Sequence, residues 1–306
     1  MSKEYVIGTR GSALALWQAQ FVQWLLEDHW PEDKFRIQTI KTTGDDLKLK
    51  ISEAGGKGLY LKELEEALLD KRVDLCVHSM KDLPAALPED CSIAAVLERG
   101  DVRDVFISRD KIPLEKFTSE MSIGSSSLRR KALLRSMGVP SKIVEIRGNV
   151  DSRIRKVLDG EVDAIVLAAA GVLRLGLESH ITEYLSPHSF IPSPAQGAIV
   201  IECRTEDDEL RLKLRGIHDD ESGQATTAER AFLKALGAHC ALPLGAFCEI
   251  EQFQMRLHSF LALPSGENVM METAVAPVGH AEALGENLAN RMLAQGARRI
   301  LDALDL

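Results

Sequence analysis

A chain of 306 residues with 45% hydrophobic and 27% charged residues is long enough for two or three domains and ordinary for a water-soluble fold. Its net charge of −9 excludes nucleic-acid binding driven by overall basicity, and its five scattered cysteines, with no C-x-x-C pair, argue for reduced thiols over a disulfide framework or a zinc site. The longest uncharged apolar run, Ala164 to Leu173, is about half of the ~20 residues a membrane helix needs, and the first residues hold no apolar secretion core, so a cytoplasmic location is expected.

YVIGTRGSALALWQAQFVQWLL reads as a short buried strand, a Gly/Thr/Ser turn and a helix with apolar residues at three- and four-residue spacings; FRIQTIKT is the next strand. LYLKELEEALLD predicts an amphipathic helix feeding the apolar strand of LDKRVDLCVHS (Leu69–Ser79). MSIGSSSLRRKALLRSMG then repeats strand, turn and helix, KIVEIRG supplies the following strand, and VDSRIRKVLDG is a helix leading into LDGEVDAIVLA (Leu158–Ala168). The two L-D-x-x-V-D frames lie 89 residues apart, and their apolar strands fit parallel sheets covered on both faces. Two similar α/β domains are the economical reading. IPSPAQGAIVIECR brings Pro192, Pro194 and Gly197 ahead of another apolar strand, which marks a crossing or hinge. From Thr226 the pattern changes to a helix, TAERAFLKAL, alternating segments around AFCEIEQFQMRLHSFLALP and NVMMETAVA, and a C-terminal helix, EALGENLANRMLAQGARRILDALD. That is a small α+β domain with an antiparallel sheet.

Between Ile123 and Lys156 nine basic residues stand against two acidic ones, a local charge of +7 in an acidic protein. Ser125, Ser126 and Ser127 open a helix carrying Arg129 and Arg130, and Arg147 closes a strand. A helix N-terminus flanked by guanidinium groups suits carboxylate or phosphate oxygens. The first domain has a parallel arrangement in Thr9, Arg10 and Ser12, with Lys57 in GGKGLY. Solvated surface charge is the competing reading for any single arginine. Nucleic acid is disfavoured because aromatics make up 5% of the chain and none interleave with the arginines.

In VHSMKDLP an apolar strand ends at Ser79, with Lys81 and Asp82 following before Pro84 turns the chain. Carboxyl ends of strands face the ligand crevice in a parallel sheet, so Asp82 is a candidate for holding a developing cation or moving a proton, against a turn with a surface ion pair. GGKGLY lacks P-loop spacing, and no G-x-G-x-x-G, H-E-x-x-H or His/Cys ligand pattern occurs, so no metal is expected. Cys240 in GAHCALPLGA, beside His239, has two readings from its residues alone, a buried thiol or a Cys/His nucleophile.

Seven ordered stretches, GTRGSALALWQAQ, GGKGLYLKELEEALL, DLCVHSMKDLP, GSSSLRRKALL, IRGNVDSR, AQGAIVIECR and TAERAFLKALGAHCALPLGA, together resemble the porphobilinogen deaminase (hydroxymethylbilane synthase) family. The resemblance implies two α/β domains like type II periplasmic binding proteins with a cleft between them, residues 1–98 with 196–217 and residues 99–195. It also implies a C-terminal α+β domain, 218–306, with a three-stranded antiparallel sheet. It further implies a transferase that condenses four porphobilinogen molecules on a covalent dipyrromethane with loss of ammonia, then releases hydroxymethylbilane by hydrolysis. Cys240 then anchors the dipyrromethane through a thioether, and Asp82 is the catalytic aspartate. Lys81, Ser125, Ser126, Ser127, Arg129, Arg130 and Arg153 hold cofactor carboxylates, while Arg10, Ser12, Lys57, Ser79, Arg147, Arg174 and Gln196 serve the substrate. A monomer handing its product to uroporphyrinogen-III synthase is expected, with neither nucleic acid nor membrane as partner. Glu53, where some relatives carry lysine, and His239 are left without a role. The reading from another class is a non-catalytic two-lobed anion-binding protein.

Overall fold

Residues 2–42, 61–238 and 242–304 are described by the computed structural model. The turn at residues 10–12 separates β1 (Glu4–Thr9) from α1 (Ala13–His29), because Ser12 is extended and its Oγ accepts from the Ala15 amide at 3.3 Å, filling one vacancy of the first helical turn. Next come β2 (Lys34–Thr39), α2 (Lys62–Leu69), β3 (Leu75–Ser79) and β4 (Cys91–Val96). A second run holds β5 (Asp104–Ser108), β6 (Ser122–Gly124), α3 (Leu128–Ser136), β7 (Lys142–Val144), α4 (Val150–Leu158), β8 (Ala164–Ala168), α5 (Ala169–Arg174) and β9 (Glu183–Tyr184). The remainder is β10 (Ile199–Arg204), α6 (Asp208–Leu214), α7 (Asp220–Ala235), β11 (Leu244–Glu251), β12 (Gln254–Leu261), β13 (Met270–Pro277), α8 (Ala281–Ala294) and α9 (Ala297–Asp302).

Two compact units divide this chain, residues 1–99 with 198–223 and residues 100–197 with 224–306. The first contains a sheet of order β2-β1-β3-β10-β4, the second one of order β7-β6-β8-β5-β9. The orders agree position for position. In each, three parallel strands are followed by one that runs antiparallel to both its neighbours: β10 between β3 and β4, β5 between β8 and β9. The third sheet, β11-β12-β13, is antiparallel and belongs to the second unit. The expected pair of α/β sheets and three-stranded antiparallel sheet are therefore present.

The repeated L-D-x-x-V-D frame has a structural cause. Its first aspartate caps a helix end (Asp70 on α2, Asp159 on α4), and its valine is buried (Val73, Val162). Its last aspartate accepts a backbone N–H from the strand that heads the sheet, Asp74 from Val6 and Asp163 from Ser122, each at 2.8 Å. The residue after each cap is left-handed, Gly160 at φ 80° but Lys71 at φ 58°.

Alternation along the strands loads both faces of each sheet. In the first unit Ile7, Leu75, Val77 and Ile201 pack beneath Ala19, Val22 and Leu26 of α1, while Val73, Cys76 and Cys91 pack against Leu64, Ala67 and Leu68 of α2. In the second, Ile154 and Val157 of α4 cover Val105, Ile107 and Ile165; Ala132 and Leu133 of α3 share the opposite core with Phe106, Phe190 and with Phe247 and Phe260 of the antiparallel sheet. One core thus serves both sheets of this unit.

Two elements depart from the sequence pattern. The ten-residue apolar run at 164–173 is β8 followed directly by α5, a switch fixed by the Ala169 amide donating to the Arg103 carbonyl. The single C-terminal helix is two, because Gly296 adopts φ 108°, a conformation that stops α8 and restarts the chain as α9. Gly197 is also required by its position, since at φ 91° any Cβ would meet the Gly100 carbonyl oxygen at 2.6 Å.

Candidate functional site

In the first unit β1 and β3 are parallel neighbours, so the turns that follow them open on the same edge of the sheet. Arg10 and Ser12 come from the first turn, Ser79 and Asp82 from the second, and together with Gln18 and His78 they line a cavity of about 60 Å³. Four residues expected from the sequence are thereby brought to one place. Gln18, buried in α1, donates through Nε2 to Ser79 Oγ at 2.8 Å. The chain then makes a single 3₁₀ turn, Met80–Asp82, closed by the Leu83 amide donating to the Met80 carbonyl, which leaves Met80 buried and Asp82 exposed. Lys81, between them, is partly buried.

The second unit repeats the arrangement with more charge. Ser125 is buried, its amide donates to the Val144 carbonyl at 2.9 Å, and its Oγ accepts from the Ser127 amide at 3.3 Å. Ser127 caps α3, its Oγ accepting from the Arg130 amide, with Ser126 partly exposed beside it. Arg129 and Arg130 do not extend into solvent. Both turn inward onto Asp104 of β5: Arg130 Nη2 is 2.7 Å from Oδ1 and Arg129 Nη1 is 2.8 Å from Oδ2, with every partner nearly inaccessible. Arg129 Nη1 also donates to the Ile191 carbonyl, and Arg130 Nη1 donates to that of Val166. Burial alone would raise the Asp104 carboxyl, but the two guanidinium groups outweigh it and hold the group down to about 2. Burial correspondingly lowers the Arg129 guanidinium from its ordinary value.

Two cations and one anion leave this buried cluster with a net positive charge. Arg129 Nε, also buried, has no hydrogen-bond partner among the described residues. An unmatched charge and an unmatched donor at a helix N-terminus suit a carboxylate ligand. The +7 of the basic segment is nonetheless partly offset by Asp104, which lies outside it, and within it Lys131 pairs with Glu145 at 2.8 Å.

Gln196 is buried and joins the same cluster, donating to the Val102 carbonyl at 2.9 Å and to Asp104 Oδ1 at 3.2 Å. Its neighbour Gly197 accepts from Arg174 Nη2 at 2.7 Å, and burial pulls that guanidinium down to about 10. Arg153 donates through Nε to the Gly148 carbonyl at 2.7 Å, which ties the first turn of α4 to the loop after β7. Arg147, in that loop, is partly exposed with Nε 3.9 Å from Glu145 Oε1. Lys57, Cys240, Glu53 and His239 lie outside the described residues.

Several contributors were not read from the sequence. Asp104 is one, although an acid heading an apolar run, DVFIS, was a visible signal. Glu229 of α7 is another: buried, it accepts from the Cys248 amide at 2.7 Å and from the Ala195 amide, fixing the residue before Gln196. In the first unit His78 Nε2 is 2.9 Å from Glu202 Oε2, a buried pair whose imidazole borders the cavity. Burial and then the Glu202 carboxylate push the Cys91 thiol up to about 12 and raise Cys76 as well, while burial takes Cys203 to about 11. These thiols are not poised as nucleophiles.

Comparison with known proteins agrees along the chain. A family model described as porphobilinogen deaminase, dipyromethane cofactor binding domain, matches residues 5–212, and one described as porphobilinogen deaminase, C-terminal domain, matches residues 224–294. The porphobilinogen deaminase of Syntrophomonas wolfei is 43% identical over 96% of this chain and 97% of the relative. That of Methylobacillus flagellatus is 42% identical over 99% and 98%, and that of Thermus thermophilus 42% identical over 97% of each. Among solved structures, the BenM effector binding domain with its effector benzoate aligns over 70% of this chain and 91% of its own at 16% identity, with a TM-score of 0.43. No helix among the described residues is long and apolar enough to cross a membrane.

Proposed function

The chain belongs to the porphobilinogen deaminase family, and on that premise we propose that it condenses four porphobilinogen molecules head to tail on a covalent dipyrromethane, expelling ammonia at each addition, and frees hydroxymethylbilane by hydrolysis. The observation that carries this reading is the cavity in the first unit, where the exposed Asp82 shares one lining with Arg10, Ser12 and Ser79. Porphobilinogen is a carboxylated pyrrole bearing an aminomethyl arm, so it needs a cation for its carboxylates and an anion near the departing amine. Arg10 and Asp82 supply that pair of charges. The Asp82 carboxylate stabilises the positive charge that remains on the substrate carbon as ammonia leaves, and it holds the proton exchanged with the pyrrole nitrogen. Ser12 and Ser79 offer hydroxyls that orient the ring, Lys57 adds a further cation, and Arg147, Arg174 and Gln196 are assigned to the substrate as well.

Dipyrromethane supplies the nucleophilic pyrrole carbon when bound. Its carboxylates suit the net positive cluster of Arg129 and Arg130, with the free Arg129 Nε as donor and Lys81, Arg153 and Ser125–Ser127 assisting. Cys240 is the tether, and the raised pKa of the buried thiols Cys76, Cys91 and Cys203 favours it over them. The reading includes a division into residues 1–98 with 196–217, 99–195 and 218–306, a transferase acting as a cytoplasmic monomer, and delivery of product to uroporphyrinogen-III synthase. The test is incubation of the holoenzyme with porphobilinogen. Four ammonia released per hydroxymethylbilane is expected; binding of porphobilinogen without ammonia release would instead indicate an anion-binding protein.

A further inference from the structure

Three side chains of metal-ligating type in the second unit, two from the β11–β12 hairpin and one from the segment after β9, meet on one face of the antiparallel sheet. His258 Nε2 on β12 is 3.0 Å from Glu249 Oε1 on β11, and His188 Nε2, in the segment after β9, is 3.9 Å from Glu249 Oε2. One ligand atom from each lies within 4.8 Å of the other two. Around a tetrahedral zinc ion with bonds of about 2.0–2.2 Å, neighbouring ligand atoms stand about 3.3–3.6 Å apart. The two measured spacings, one to each Glu249 oxygen, fall on either side of that value, so small side-chain shifts separate the cluster from a metal-bound geometry.

The surroundings orient the imidazoles as ligands. His258 and Thr273 are cross-strand partners, and His258 Nδ1 is 3.1 Å from the Thr273 hydroxyl. Without an ion Nε2–H donates to the Glu249 carboxylate, which only accepts; with Nδ1–H donating to Thr273 instead, Nε2 has its lone pair for a metal, and Thr273 is the second contact that histidine ligands to metals ordinarily have. Phe247 stacks on the His258 ring at 6.1 Å, and His188 stands edge-on to both rings. His188 is half exposed, so the cluster opens to solvent on one side. One charge opposes a cation: Arg256, the cross-strand partner of Glu249, has its Nε 3.9 Å from Glu249 Oε1.

We propose that His188, Glu249 and His258 form a site for a divalent transition-metal ion of the zinc class, with water completing its coordination. Two imidazole nitrogens and a carboxylate suit zinc and exclude the all-oxygen preference of magnesium or calcium. Bound there, the ion fastens the segment at 186–190 to the sheet. That segment leads into Ile191, whose carbonyl accepts from the buried Arg129, so the ion would brace the far end of the arginine cluster without touching substrate.

The test is calorimetric titration of Zn²⁺ into the full chain with its cofactor attached, followed by the absorption spectrum with Co²⁺. One ion per chain is expected, with affinity at least tenfold weaker in His188→Ala and in His258→Ala and severalfold tighter in Arg256→Gln. The Co²⁺ spectrum should lack a thiolate charge-transfer band. Because His188 is exposed, His188→Ala should keep normal turnover and thermal midpoint without added metal. Absence of saturable Zn²⁺ binding, binding unchanged in His188→Ala, or a thiolate band would each overturn the site.

Discussion

Gln18 reaches across from the second turn of α1 to hold Ser79 at 2.8 Å, fixing the end of β3 from which Asp82 projects. The 3₁₀ turn between them is short, so little slack separates the buried anchor from the exposed carboxylate. Asp82→Ala is expected to lower kcat by about 10²–10³-fold, with the thermal midpoint unchanged because the side chain is exposed. Asp82→Glu should retain part of the activity, and Gln18→Ala should cost less than Asp82→Ala. Turnover of porphobilinogen at near-normal rate by Asp82→Ala would remove this residue from the chemistry.

Asp104→Asn removes the anion that two buried guanidinium groups share, and is expected to destabilise the protein by about 3–5 kcal/mol. The carboxyl ordinarily titrates near 3.8 and is held down to about 2, so the unfolded chain takes up a proton that the folded chain refuses. Its contribution is therefore complete above about pH 4 and is lost as the pH falls toward 2. Urea unfolding of the parent should weaken across that window, and the variant should be flatter there. Equal slopes in the two proteins would contradict the pairing.

Cys240→Ser is expected to yield a folded chain whose intact mass lacks the increment of a dipyrromethane, roughly two substrate units, and which makes no hydroxymethylbilane. Alkylation of the native protein should spare Cys76, Cys91 and Cys203, whose thiols are buried and raised. An active Cys240→Ser protein, or a mass increment retained on it, would refute the tether.

Lys71 and Gly160 occupy matching places in the two halves, both left-handed, and only glycine holds that conformation without cost. Lys71→Gly is expected to stabilise by up to about 1 kcal/mol, the ~1–2 kcal/mol left-handed cost less the ~0.4–1 kcal/mol of unfolded-chain entropy that glycine adds, since the ion pair lost with Glu206 is largely exposed. Gly160→Ala should destabilise by a similar amount. Denaturant midpoints of the two variants moving in the same direction would count against the equivalence.

Much of this fold was legible because its signals are local. Strand-turn-helix units and the L-D-x-x-V-D echo lie within short windows, and the echo proved to encode one aspartate hydrogen bond made twice. What escaped reading depends on partners distant in sequence. Asp104 meets Arg129 and Arg130 only once β5 lies beside β8, and Glu229 meets Ala195 and Cys248 only through the packing of α7. The break at Gly296 was missed for the opposite reason, since a helical pattern continues through it and one left-handed residue leaves no periodic trace. At the candidate site, Arg10 and Ser12 were read from one turn, Asp82 from another and the role of Ser79 from the family resemblance, whereas the hidden anion that turns Arg129 and Arg130 inward was not read at all.

The placement of β10 between β3 and β4 has a consequence for synthesis. Residues up to Val96 leave the ribosome with β3 and β4 both lacking the neighbour they share, and that neighbour begins at Ile199. At about 5–20 residues per second, the delay is on the order of 5–20 seconds. Throughout it β3, whose LCVH is buried in the finished fold, presents an open edge. The edge of β3 that pairs with β10 in the finished fold therefore stays open while the second sheet is translated, until residue 204 has emerged.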